Sequence, residues 1–249
     1  MTQNNVRKLP TTTVSTIRCR VFQPTKRPSE LRDDKFTTSW GTVVVNGKIG
    51  QCHADVLEAI LVCAENPKLH TDENGQKYLT AIVDPYQIRK MAAQQSGSTL
   101  KAIYIDLMRA IVTLTVPAQG IRIYGHIIDQ IIESGTMRHN PLNGGVRPMW
   151  MVKFAPAWTQ LLIDDPSLFY APADIATLRY GVSKAVARHV RSHANEPRGG
   201  WKLLEMLKAV GANGRPRDRV AELLEEADNL KKCGLEIDFI EMRIHKARS

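Results

Sequence analysis

Three arginines fall within five residues, Arg215, Arg217 and Arg219, at the end of a polar turn, Ala212-Asn213-Gly214-Arg215-Pro216. Cations this close repel one another unless an anion shares the site. The start of a helix offers the same anion its free backbone N–H groups. An arginine fork also matches guanine O6 and N7 with two parallel bonds. The spacing predicts recognition of phosphates and base edges rather than bond-making. The competing reading is a turn that is charged because it is wet.

Candidates for bond-making chemistry are few. His189 and His193 stand at i and i+4, so one helix face would present both to a metal, but Val190 stands where a metalloprotease helix needs Glu. Two solvated or phosphate-facing histidines are expected there instead. Asp164-Asp165 reads as a turn or helix cap rather than a magnesium site. The four cysteines, Cys19, Cys52, Cys63 and Cys233, include no C-x2-C pair and do not make a zinc ribbon. There is no glycine-rich phosphate loop, nucleophile elbow or kinase signature. No catalysis, metal or cofactor is expected.

Lys and Arg outnumber Asp and Glu by 34 to 25 over 249 residues, a net charge of +9. Counterion release makes nucleic acid the natural partner for such an excess. A 43% hydrophobic content fits a folded chain of two ordinary domains. No apolar run approaches the roughly 20 residues of a membrane span, and no signal peptide is read, so a cytoplasmic, reduced setting is expected.

Elements must hold the arginines in place. Trp201, Leu203, Leu204, Leu207 and Val210 predict one short amphipathic helix, stopped by Gly211. Val220, Leu223, Leu224, Ala227 and Leu230 predict a second, longer one, with Lys231 and Lys232 in its last turn and Gly234 as cap. Alternating residues from Leu235 to His245 predict short strands. Earlier in the chain, Asp84-Pro85 starts a helix that runs out at Gln95, and Gly97-Ser98 turns into another carrying Leu100, Ile103, Tyr104, Leu107, Met108 and Ile111. Strands over 112–116 and 121–124 flank Pro117-Ala118-Gln119-Gly120 as a hairpin, and a glycine-rich loop over 137–145 precedes a strand over 149–154. This repeats the order helix, turn, helix, β wing.

Around these units, residues 42–45 lead into a hairpin turn at Asn46-Gly47, and a helix spans about 53–65. A short helix is expected over 157–162 and a long basic one over 172–193, carrying Arg179, Lys184, Arg188 and Arg191. Residues 1–36 carry Arg7, Lys8, Arg18, Arg20, Lys26, Arg27, Arg32 and Lys35 against Glu30, Asp33 and Asp34. They read as a mobile basic arm with one strand over 14–22.

The expected fold is α+β, two tandem winged helix-turn-helix domains joined by a long helix, with an arm over 1–36 and domains over 37–155 and 156–249. The second domain is the main DNA reader. Its candidate contacts are Arg215, Arg217 and Arg219, with Arg198 and Lys202 beside its first helix and Arg243, Lys246 and Arg248 in a wing that grips the backbone. In the first domain the face opposite the core shows Ser98, Lys101, Ala102, Ile105 and Arg109; an exposed Ile105 would meet a thymine methyl or a second protomer. Arg188 and Arg191 on the joining helix complete the set.

Phe36-Thr37-Thr38 before the first domain's strands, and the stretch EEADNLKKCGL from Glu225 to Leu235, carry a resemblance. With the domain order over 36–249, the chain resembles the replication initiators of iteron-containing plasmids, of the TrfA type. The resemblance implies binding to direct repeats of origin DNA, help in opening an adjacent A·T-rich stretch, and recruitment of host initiator proteins and helicase. It also implies a DNA-binding monomer and a less active homodimer. By position, Arg215, Arg217 and Arg219 match the family's basic recognition-helix start. The alternative is a winged-helix transcriptional repressor acting on its own promoter.

Overall fold

The computed structural model describes residues 3–5, 8–94, 96–139 and 144–247. The chain opens on β1 (Gln3–Asn5) and β2 (Thr12–Thr13), followed by α1 (Val14–Arg18). A helix forms where the sequence suggested a strand because the Thr13 hydroxyl accepts the Thr16 N–H and caps it. Next, β3 (Leu31–Thr37) and β4 (Thr42–Gly47) pair around residues 38–41. The hairpin turn is therefore not Asn46-Gly47; Asn46 pairs onward with Ile111, and Gly50 then starts α2 (Gln51–Val62).

A hairpin that the sequence reading missed follows, β5 (Glu65–Thr71) and β6 (Lys77–Val83), then α3 (Pro85–Met91) and α4 (Gly97–Arg109). After them come β7 (Ile111–Val116), β8 (Ile121–His126), β9 (Ile128–His139), β10 (Val146–Phe154) and α5 (Pro156–Asp164). The strands sort into two sheets, β3-β4-β7-β8 and β1-β5-β6-β10-β9. Alternation puts Val43, Val45, Val112 and Leu114 inside, where they meet Ile60, Leu107, Phe154 and Trp158 in one apolar core.

The second half begins with β11 (Ser167–Leu168), which pairs with β2. It continues through α6 (Pro172–Thr177), α7 (Gly181–Arg191), β12 (Trp201–Lys202), α8 (Leu203–Ala209), α9 (Pro216–Glu225), α10 (Ala227–Lys232), β13 (Leu235–Asp238) and β14 (Arg243–Lys246). The single helix expected over 172–193 is two, for a local reason. Buried Glu226 accepts the backbone N–H of Arg179 and of Tyr180, which stops the chain continuing as a helix there. A Cβ at Gly181 would lie 2.4 Å from the Thr25 Cα, so only glycine lets α7 begin against that backbone. Glu226 also stands at the break between α9 and α10. Glu226→Ala would remove the acceptor of two partly buried N–H groups and is expected to cost about 1–2 kcal/mol in urea unfolding; an unmoved midpoint would refute this role.

Both halves share an order. Helix α2 is followed by β5, β6, α3 and α4, and α7 by β12, α8, α9 and α10; each half then carries a hairpin whose last strand inserts beside the earlier strand, β6-β10-β9 in one and β12-β14-β13 in the other. The hairpin β7–β8, expected as the first unit's wing, instead follows its second helix as an insertion and belongs to the other sheet. The position equivalent to the β13–β14 hairpin is taken by β9–β10, of which the sequence reading missed β9.

The expected arm and domain boundary both move. From Leu9 to Phe22 the chain is largely buried, with Leu9, Val14, Cys19, Val21 and Phe22 in the core. It acts as a strap across the two halves. Ser15 donates its N–H and its hydroxyl to buried Asp165, at 2.7 and 2.5 Å. Arg18 stacks on Trp40 and donates to Ser192, and Arg20 donates to the carbonyls of Lys208 and Ala209. Arg7 lies outside the described residues. The first core takes in Trp158, Leu161 and Leu162 of α5, and the second starts only at Ile175, so the changeover falls after α5 rather than at Ala155. No helix among the described residues is long and apolar enough to cross a membrane.

Candidate nucleic-acid interface

Helix α9 begins abruptly. Gly211 and Gly214 take positive φ, the left-handed region that glycine tolerates, and Pro216 occupies the first helical position. Arg215 is the N-cap and supplies no side-chain cap, so the first-turn N–H groups are free of a side-chain acceptor. Arg215 and Arg217 are exposed, and neither side chain has a partner among the described residues. Arg219 differs. Its Nη1 donates to both Glu222 oxygens, at 2.7 and 2.8 Å, and its Nε is buried without a partner. Arg219 braces the turn, and the anion-facing group reduces to Arg215 and Arg217.

Beyond the first turn the helix turns acidic. Glu225 is exposed and takes the Tyr180 hydroxyl and the Arg179 guanidinium, the latter at 3.5 Å. The opening of α9, rather than its length, carries positive charge. The flanking cations vary. Arg198 is exposed with no partner among the described residues, and Lys202 pairs with Glu205 at 3.2 Å.

The expected basic wing is tied at its root. Arg243 donates to the Gly199 carbonyl at 2.8 Å, and Lys246 to the carbonyls of His193 and Ala194 at 2.6 and 3.0 Å. Its tip holds Ile240, 93% exposed, between Asp238 and Glu241. An apolar, acidic tip of this kind repels phosphate. Arg248 lies outside the described residues.

In the first half α4 occupies the corresponding place. Ser96 caps it by accepting the Thr99 N–H at 3.2 Å, and Ser98, Thr99, Lys101, Ala102 and Arg109 are exposed. The side chains of Lys101 and Arg109 have no partner among the described residues. Ile105 is half-buried rather than exposed. Missed by the sequence reading, Tyr86 on α3 stands 49% exposed between the guanidinium groups of Arg89 and Arg147, 5.5 and 4.9 Å from its ring. Arg147 is held there by bonds to the fully buried Asp84 carboxylate, whose pKa is held below the usual range: burial works against this, but the Arg147 bonds outweigh it.

The two expected contacts on α7 are also buried or engaged. Arg188 is buried, with its fork on Glu58, Asp55 and Gln51. Arg191 donates to the Cys233 carbonyl at 2.7 Å and lies over the Tyr170 ring. Neither side chain is free for a phosphate, because α7 turns its basic face inward. The signal was legible: Asp55 and Glu58 sit at i and i+3 in the otherwise apolar stretch 54–62 of α2, which requires partners of opposite charge.

His189 and His193 are half-buried rather than fully solvated. Their rings stand 5.0 Å apart, with His193 against Trp201 at 5.7 Å. Among the described residues no group of three or more His, Cys, Asp or Glu is placed to hold a metal. Burial, reinforced by neighbouring cations, pushes the His189 pKa down to about 3 and that of His193 to about 4. Both values lie below that of an unfolded histidine, near 6.5. The stability tied to the neutral rings is therefore complete above that value and drains as pH falls, while the unfolded chain alone gains protons. Between pH 7 and 5 the loss is expected to reach about 2 kcal/mol for His189 and less for partly solvated His193. Urea midpoints across that range check it, and His189→Gln should flatten the slope.

The candidate surface is thus the opening of α9 with Arg215 and Arg217, Arg198 beside it, and the exposed face of α4. No protein-family model matches this chain, and neither does any curated protein or solved structure.

Proposed function

We propose that the protein is a sequence-specific double-stranded DNA-binding replication initiator, built from two tandem winged helix-turn-helix units and acting on direct repeats at an origin. The observation that carries this reading is the shared order of helix, strand, helices and a hairpin inserted beside that strand, with arginines that have no partner among the described residues at the opening of the second unit's reading helix. A small helix pair of this kind works by placing its second helix in a major groove. The net charge of +9 supplies the non-specific attraction. The doubled unit favours an initiator over a repressor, since one molecule then meets two successive grooves about 34 Å apart. On this reading the protein binds origin repeats, assists opening of a neighbouring A·T-rich stretch and recruits host replication proteins, with no chemistry of its own.

Footprinting on the DNA flanking its gene, at near-physiological salt with competitor, tests the proposal. Protection of an array of direct repeats beside an A·T-rich stretch is the expected result. A single protected inverted repeat over the promoter would make the protein a repressor. Protection no better than random duplex would remove sequence-specific DNA binding altogether.

A further inference from the structure

One buried cluster joins the two halves, and its charges are divided between them. Helix α2 of the first half supplies Asp55, Glu58 and Gln51; helix α7 of the second supplies Lys184 and Arg188. The Arg188 Nε and Nη2 donate to the two Glu58 oxygens at 2.8 Å each, and Nη2 also reaches Asp55 at 2.8 Å. Its Nη1 donates to the Gln51 side-chain oxygen at 2.8 Å. Lys184 donates to Asp55 and to the Ala176 carbonyl. The Tyr170 hydroxyl, from the joining segment, donates to Glu58 at 2.6 Å. All four ionised side chains are at least 96% buried. Burial opposes the charge on Arg188, but Glu58 and Asp55 outweigh it and hold its pKa well above the ordinary arginine value.

Buried ion pairs are poor sources of net stability, because desolvation consumes most of the Coulomb gain. Their directional bonds do select one geometry: an apolar α2–α7 contact would slide, whereas a fork on two carboxylates and an amide fits in one register. That register governs more than the contact. In the first half α3 and α4 pack on α2, and in the second α8 and α9 pack on α7. Fixing α2 against α7 therefore fixes α4 against α9.

We infer that the cluster of Asp55, Glu58, Lys184 and Arg188 is a positioning device, which holds the two reading helices at one separation and so makes the protein selective for the spacing between the half-sites they read. The inference rests on the DNA-reading proposal above. Rigid linkage gives avidity only where both units engage together, so a wrongly spaced duplex forfeits the second contact.

Two measurements test it. The first is binding of the full chain to duplexes carrying the protected sequence with base pairs inserted or removed at its centre. The native protein is expected to lose about tenfold or more in affinity on a change of two base pairs. Arg188→Met combined with Glu58→Met keeps apolar bulk in place of the directional pair. It is expected to reduce that penalty to about threefold or less while leaving the optimum duplex bound. A folded double variant with the native spacing profile would overturn the inference, and so would a native protein indifferent to spacing.

The second measurement needs no DNA. Spin labels at Glu73→Cys and Asn229→Cys, exposed positions on opposite halves, report the inter-half distance once Cys52 and Cys63 are changed to Ala. The native chain should give one narrow distribution, unchanged up to about 1 M salt because buried charges escape screening. A broad or salt-dependent distribution would overturn the inference even if the double variant fails to fold. If no duplex is bound specifically, the DNA-reading proposal falls, and the label distances still judge the cluster.

Discussion

Arg188→Ala is expected to cost about 3–5 kcal/mol of folding stability, the largest effect of any single substitution considered. The reason is asymmetric. Arg188 satisfies both oxygens of Glu58, one of Asp55 and the amide oxygen of Gln51, all at 2.8 Å. Truncation leaves two carboxylates facing one ammonium in a site with little water, and the uncompensated charge is the main cost. In a chain of this length a loss of that size lowers the melting temperature by roughly 10 °C or more. Calorimetry or urea unfolding at pH 7 measures it. Replacing all four charged residues with apolar ones of similar volume should cost far less, because desolvation is then avoided along with the attraction. A loss under about 1 kcal/mol in Arg188→Ala would mean that water reaches the cluster once the guanidinium is gone.

Arg217→Ala is expected to weaken binding to specific DNA by about 1–3 kcal/mol if Arg217 reads a base edge, a factor of roughly 5 to 150. Of the three clustered arginines, Arg215 and Arg217 have no side-chain partner among the described residues, whereas Arg219 is held by Glu222. Removing both should compound the loss and reduce the salt slope by about 0.9 for each phosphate contact given up. Titration of specific and scrambled duplexes, each at several salt concentrations, separates the roles. A loss confined to specific duplex marks base reading; an equal loss on both marks phosphate contact. Unchanged affinity on both would remove the opening of α9 from the interface. Lys101→Ala and Arg109→Ala in the same assay decide whether α4 touches DNA.

What the sequence by itself determined lies in local periodicity and local chemistry. The i, i+3, i+4 spacing of Leu100, Ile103, Tyr104 and Leu107 names a helix because only a 3.6-residue period puts them on one face, and all four are buried on it. Pro216 and Gly234 mark helix ends through their own backbone limits, and the alternation from Leu235 onward marks strands. The exposed Arg215 and Arg217 were equally legible, since a polar turn between two amphipathic helices has nowhere to go but the surface.

The tertiary structure decided everything that depended on a distant partner. Whether 14–22 was arm or strap turned on Asp165 and Ser192, about 150 and 174 residues away along the chain. Whether 172–193 was one helix or two turned on Glu226, and whether β7–β8 was a wing or an insertion turned on β4. The fate of the basic residues was settled the same way. Arg188 and Arg217 carry the same charge in similar helices, yet one faces two carboxylates across a buried interface and the other faces solvent. Charge is a property of the residue. What it pairs with is a property of the fold, because Coulomb attraction depends on separation in space and on the dielectric between, neither of which the order of residues records.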